Sequence, residues 1–167
     1  MYYYVNLFFI SSFLGYLLET GLKTFVFHSM NNGIMIGPWI PVYGFGCVII
    51  VLLEEFIFKN RKISKINKLI LLFLSVSILL TFIEWLGGVL IEICFNKIFW
   101  DYSKLKFNFG HYIALEMSII WGVVSIFFVY FIKPVEDLII KKIPKWLSIL
   151  VSFLFIMDFI YTIFLLV

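Results

Sequence analysis

Lys68-Leu-Ile-Leu-Leu-Phe-Leu-Ser-Val-Ser-Ile-Leu-Leu-Thr-Phe-Ile-Glu84-Trp-Leu-Gly-Gly-Val-Leu-Ile-Glu92-Ile-Cys-Phe95 decides the fold class of this chain. The run exceeds the roughly 20 apolar residues that a helix needs to cross about 30 Å of hydrocarbon. Glu84 and Glu92 break its apolarity. A carboxylate at bilayer depth costs about 2.5–3.5 kcal/mol on insertion scales, so it faces a partner, a cavity or a substrate. Glu84, Gly88 and Glu92 recur at four-residue steps and drift only about 80° around the axis. Such a stripe could hold a cation, share a proton or bind an amine. It could equally be satisfied by hydroxyls of neighbouring helices. Gly87-Gly88 suits tight helix contact or access for a ligand.

Working outward, four further runs read as spans, giving helices at about 3–27, 40–58, 68–95, 111–132 and 146–166. The expected fold is all-α: one transmembrane domain over 1–167, a compact bundle of five helices. Composition agrees. The chain is 63% hydrophobic, 21% aromatic and only 14% charged, with mean hydropathy +1.10; soluble domains are about a quarter charged. The net charge of +3 gathers beside the spans, so nucleic-acid binding is not expected. Cys47 and Cys94 lie in apolar segments and read as small buried hydrophobes. Arg61 is the single arginine and Ala114 the single alanine, while Ile, Phe, Lys and Asn abound. That bias points to an AT-rich, bacterial coding genome. Met-Tyr-Tyr-Tyr lacks the basic n-region of a cleaved signal, so the first span is expected to stay.

Lys59, Arg61, Lys62, Lys65 and Lys68 fill one connection, and Lys133, Lys141, Lys142 and Lys145 another. The positive-inside rule makes both cytoplasmic, which puts the N-terminus inside and the C-terminus outside. Trp39, Trp100, Tyr102 and Tyr112 then form an outer aromatic girdle and Trp146 an inner one. Glu19, Glu92 and Glu116 fall toward the outer side, with Glu84 and Asp158 deeper.

The remaining motifs each carry a structural and a functional reading. Ser12, Gly15, Tyr16, Glu19 and Lys23 share one helix face. Glu19 and Lys23 stand in the favourable order for an ion pair, which would let the helix insert. Alternatively, Glu19 is a site carboxylate and Gly15 admits a neighbouring helix. The stretch from Asn31 through Gly33, Gly37-Pro38-Trp39, Pro41, Tyr43-Gly44 and Gly46 is the least helical, because proline removes donors and glycine permits positive φ. It is expected to interrupt the start of the second span, either as an interfacial loop or as an unwound segment lining a pocket. Trp100-Asp101-Tyr102-Ser103 with Asn108, Gly110 and His111 makes an outer loop rich in hydrogen-bonding groups, or simply a set of turns. Ser118, Gly122 and Ser125 form a packing stripe. Asp158 has no evident local partner.

These pieces in this order resemble the small bacterial membrane proteins of the ABC-transporter type IV permease family, and a group of short animal transmembrane proteins is similar. The resemblance rests on Phe13, Gly15 and Glu19; Asn31, Gly33, Gly37-Pro38, Pro41, Tyr43-Gly44 and Gly46; Glu84, Gly88 and Glu92; Trp100-Asp101-Tyr102-Ser103, Asn108 and Gly110; and Trp121-Gly122. It implies an integral-membrane transport component working with a separate ATPase. Tyr16, Asn32 and His111 depart from the family pattern, which has Trp, Arg and Arg there. Two fewer guanidinium groups favour cationic or neutral ligands over anions.

The expected function is transport of a small solute by a permease or substrate-binding membrane subunit. Glu19, Tyr43, Glu92, Asp101, Tyr102, Asn108 and Glu116 would bind it, with Glu84 as a deeper proton or ion site. Gly15, Gly33, Gly37, Pro38, Pro41, Gly44, Gly46, Gly88, Trp100, Gly110 and Gly122 would be structural. Two alternatives stay open: an intramembrane enzyme acting on a lipid or lipid-linked substrate by acid–base chemistry, and a non-catalytic scaffold. The chain lacks a G-x-x-x-x-G-K-[ST] loop, a G-x-S-x-G elbow and an H-E-x-x-H motif, and His28 and His111 are its two histidines. No metal or cofactor is expected. The expected surroundings are membrane lipids and a solute, with homo-oligomerisation open.

Overall fold

The computed structural model describes residues 2–22, 35–59 and 63–166. Lys23 and Gly33 lie outside the described residues, as does the end of the first expected span. The helices are α1 (Tyr2–Leu22), α2 (Pro41–Lys59), α3 (Lys65–Phe95), α4 (Leu115–Ile140) and α5 (Lys145–Leu166). A small antiparallel hairpin, β1 (Asn108–Phe109) and β2 (Ile113–Ala114), precedes α4. Helices α2 to α5 are long and apolar enough to cross a membrane. The protein is all-α and of membrane type. Phe56, Ile78, Ile93 and Phe164 are each more than 70% exposed, a surface suited to lipid rather than water.

Local chemistry sets the helix ends. Pro41 opens α2, where its missing N–H costs nothing. Ser64 caps α3, its Oγ accepting from the Asn67 amide at 3.2 Å. Asn96 ends α3 in the left-handed region, φ 51°, donating to the Glu92 carbonyl at 2.8 Å. In α4, Phe128–Ile132 is a π-helical stretch just before Pro134. Proline cannot donate to the carbonyl four residues back, and the widened turn falls where that bond is missing.

Two expected boundaries move. The fourth helix runs past 132 to Ile140, so Lys133 to Asp137 are helical and only Lys141–Pro144 connects it to α5. The second helix is regular from Pro41, with Gly44 and Gly46 inside it; among the described residues the irregular lead-in is Met35 to Ile40. Proline is tolerated in a first helical turn, and tertiary contact at Gly44 offsets its poor propensity.

The chain divides into two compact units, residues 1–48 with 133–167 and residues 49–132, with the boundaries inside α2 and α4. In the first unit, α1 packs on the last turns of α4 and on α5. Phe8, Phe9, Phe45 and Phe155 meet edge to face, with centroids 4.8–5.6 Å apart. Buried Ser148 donates to buried Asn6 at 2.7 Å. In the second unit, α3 packs against α4 around Leu72, Val76, Leu80 and Phe128. Gly122 admits Ser77 and Phe73, and Thr81 Oγ1 donates to Ser118 Oγ at 2.6 Å. The small-residue stripe on α4 is a packing face.

Candidate functional site

The second unit holds most of the predicted site residues. Glu84 projects from α3 and accepts two hydrogen bonds, from Tyr102 Oη at 3.0 Å and Trp121 Nε1 at 3.0 Å. Two turns on, Glu92 accepts from Tyr112 Oη at 2.8 Å. Gly88 lies between them, and a Cβ there would run into the Tyr112 ring; the tyrosine reaches Glu92 because Gly88 leaves room. Glu116, in the first turn of α4, accepts from the Phe107 amide at 3.0 Å through Oε1, while its Oε2 is buried with no hydrogen-bond partner among the described residues.

The loop over these residues is cross-tied. Tyr102 N donates to the His111 carbonyl at 2.8 Å, and Trp100 Nε1 to the Tyr112 carbonyl at 3.2 Å. Asn108 Nδ2 donates to the carbonyls of Leu105 and Ser103, at 2.6 and 3.0 Å. Gly110 turns the hairpin at φ +69°, a conformation that side chains resist. Asp101 accepts from the Ser103 amide at 2.8 Å and lies 3.2 Å from His111 Nδ1. The amide bond, with a smaller contribution from His111, holds this exposed carboxyl below the usual aspartate range. Asn108 and Asp101 thus shape the loop, while Tyr102 ties the loop to Glu84.

Glu19 and Tyr43 belong to the first unit, where their side chains hydrogen-bond. Gly15 carries the Tyr43 ring just as Gly88 carries that of Tyr112, and Gly44 meets Ser12 and Phe8. At Gly46 no neighbour among the described residues stands within 4 Å of where a Cβ would sit.

Asp158 has partners that sequence reasoning did not find. Its carboxylate accepts from the amides of Ile36 and Gly37, at 3.1 and 2.8 Å, from Trp39 Nε1 at 2.7 Å, and from Thr162 Oγ1 at 3.4 Å. It anchors the Gly-Pro lead-in to α2. The signal was present: an irregular backbone near a membrane span needs an acceptor for its free N–H groups. Glu136 was missed altogether, because it stands among residues that read as a loop. It is 1% exposed, and Ser11 Oγ donates to both carboxylate oxygens, at 3.0 and 3.2 Å. Its neighbour Asp137 accepts from Tyr3 Oη at 2.7 Å and Lys133 Nζ at 3.2 Å. The residues expected to form an outer girdle, Trp39, Trp100, Tyr102 and Tyr112, spend their polar groups on these internal bonds. Two apolar grooves of the first unit, about 290 and 340 Å³, are lined by residues such as Ile139, Pro144 and Leu147, or Val5, Ile149 and Phe153. They contain none of the predicted site residues.

Comparison with known families matches residues 6–164 to the family described as "Putative ABC-transporter type IV". The chain belongs to this family. The type IV match runs from α1 into the last turns of α5 and takes in every carboxylate discussed above. No curated protein and no solved structure matches the chain.

Proposed function

We propose that this type IV family member is a membrane transport component, a permease or substrate-binding membrane subunit, for a small cationic or neutral polar solute. Charge compensation carries the reading. Among the described residues, the hydrogen bonds to Glu84, Glu92 and Glu116 come from neutral donors, namely Tyr102, Trp121, Tyr112 and the Phe107 amide. One oxygen of Glu116 accepts nothing. Carboxylates at membrane depth that take their hydrogen bonds from neutral donors suit a proton, an ion or a charged solute. In this reading Glu92, Glu116, Asp101, Tyr102 and Asn108 bind solute in the second unit, where Glu84 takes a proton or cation, and Glu19 and Tyr43 are binding residues of the first unit taken by itself. Two basic connections support a bacterial cytoplasmic membrane with the N-terminus inside and the C-terminus outside. The family name supports a separate ATPase subunit as partner, since the chain carries no nucleotide-binding loop of its own.

The test uses the protein in lipid nanodiscs with a panel of inorganic and small organic cations. A cation that raises the melting temperature and is taken up by proteoliposomes should lose both effects in Glu92→Gln and Glu116→Gln, with apo stability nearly unchanged. Unchanged stabilisation and uptake in both variants would refute it. The scaffold reading has one observation in its favour, that Glu84, Glu92 and Glu116 each already accept a hydrogen bond. It predicts that no cation stabilises the wild type.

A further inference from the structure

The two units share a pattern that goes beyond helix content. On α1, Phe8 and Ser12 stand four apart, as do Gly15 and Glu19; on α3 the same holds for Phe73 and Ser77, and for Gly88 and Glu92. The contacts correspond one for one. Tyr43 lies on Gly15 and hydrogen-bonds Glu19; Tyr112 lies on Gly88 and donates to Glu92. A Cβ on Gly44 would meet Ser12 Oγ and Phe8, and one on Gly122 would meet Ser77 Oγ and Phe73. Ser12 Oγ and Ser77 Oγ are both buried without a hydrogen-bond partner among the described residues. Six residues thus recur with the same contacts in each unit.

The copies differ in length by matching amounts. Ser12 and Gly15 are three residues apart, whereas Ser77 and Gly88 are eleven apart. On the partner segment Tyr43 adjoins Gly44, whereas Tyr112 and Gly122 are ten apart. The second copy is therefore eight residues longer on one side and nine on the other. On α3 the eight added residues are roughly two helical turns, about 12 Å; on the partner side the nine combine β2 with the first turns of α4, and the two contact levels stay paired in antiparallel order. The added turns hold the Thr81–Ser118 bond and the Glu84–Trp121 bond, at 2.6 and 3.0 Å. Glu84 has no counterpart in the shorter copy.

We infer that α1 with the start of α2, and α3 with α4, are two copies of one hairpin lock, and that Tyr43 and Tyr112 are its equivalent positioning residues, each fixing the glutamate one turn beyond the glycine under its ring. This deepens the solute-binding reading of Glu19 and Glu92, which it takes as its premise, but the lock itself is testable without a solute.

Gly15→Ala and Gly88→Ala should each lower the melting temperature of the nanodisc-embedded protein by several degrees. Each loss should be largely restored by removing the ring in the same copy, with Tyr43→Ala for the first and Tyr112→Ala for the second, and not by the other copy's tyrosine. Rescue across copies, or tolerance of alanine at one glycine only, would overturn the equivalence. Tyr43→Phe and Tyr112→Phe keep the ring on the glycine and remove only the hydroxyl, so they cover the case in which the alanine variants fail to fold. Infrared spectra should show that Tyr112→Phe shifts the carboxyl band that Glu92→Gln removes, and that Tyr43→Phe does so for Glu19→Gln. Unmoved bands would show that the tyrosines do not position the glutamates. Failure to find a stabilising cation alongside these results would count against the transport reading and leave the lock intact.

Discussion

Asp158 and Glu136 are the two carboxylates whose surroundings say most about single residues in this protein. Asp158 gathers two backbone amides and an indole N–H from Ile36, Gly37 and Trp39. Removing it strands three donors, so Asp158→Ala should cost about 3 kcal/mol, and Asp158→Asn less, because one carbonyl oxygen remains. Chemical unfolding in detergent measures the loss, and amide exchange at Ile36 and Gly37 should rise in the same order. Glu136 behaves differently, since among the described residues its hydrogen-bond donor is the Ser11 hydroxyl. Glu136→Leu alone or Ser11→Ala alone should destabilise by about 1–3 kcal/mol, while the pair together should cost less than their sum. A double-mutant cycle decides this; strict additivity would mean that the serine–carboxylate bond is not the coupling. Neither role is written locally in the sequence. Asp158 is separated from its donors by the whole second unit, and Glu136 sits between Lys133 and Lys141, which makes it look solvated.

At the scale of elements, the glycines separate into those that a neighbour demands and those that none does. Gly122 faces Ser77 and Phe73, so Gly122→Ala should destabilise by about 1–3 kcal/mol through overpacking. Gly46 faces open space inside α2, so Gly46→Ala should stabilise by about 0.5–1 kcal/mol through helix propensity alone. Melting of the two variants side by side tests both signs. The Trp100–His111 loop offers a pH test. The folded-state pKa of Asp101 lies below its usual value of 3.8. Its contribution is therefore fully present at neutral pH and is lost only as pH falls through that depressed value. Protection of the Ser103 amide should persist through the ordinary aspartate value of 3.8 and disappear only at more acid pH; in Asp101→Asn it should be weak at every pH. The existence of α2, α3 and α5 was legible, because each is an apolar run of membrane length. The end of α4 was not, because Lys133-Pro134 carries two helix-ending signals that the π-helical turn absorbs. Gly44 and Gly46 read as breakers; at Gly44 the facing Ser12 and Phe8 are not visible from the local sequence.

For the whole molecule, the all-α membrane class followed from composition, and the type IV family from motifs spread over nearly the full chain. The division into two units did not follow, because its boundaries cut through α2 and α4, where the apolar pattern is unbroken. The candidate site was legible in part. Glu84 and Glu92 stand out by cost alone, but their partners Tyr102, Trp121 and Tyr112 come from the loop and from α4. The central claim is that these carboxylates, hydrogen-bonded by neutral donors among the described residues, hold a small solute. Native mass spectrometry of the protein released from native-lipid nanodiscs tests it most directly. A small cationic or neutral adduct should accompany the wild type and be absent from Glu84→Gln and Glu92→Gln preparations of equal stability. A wild type that flies without any adduct, or glutamine variants that retain it, would contradict the account.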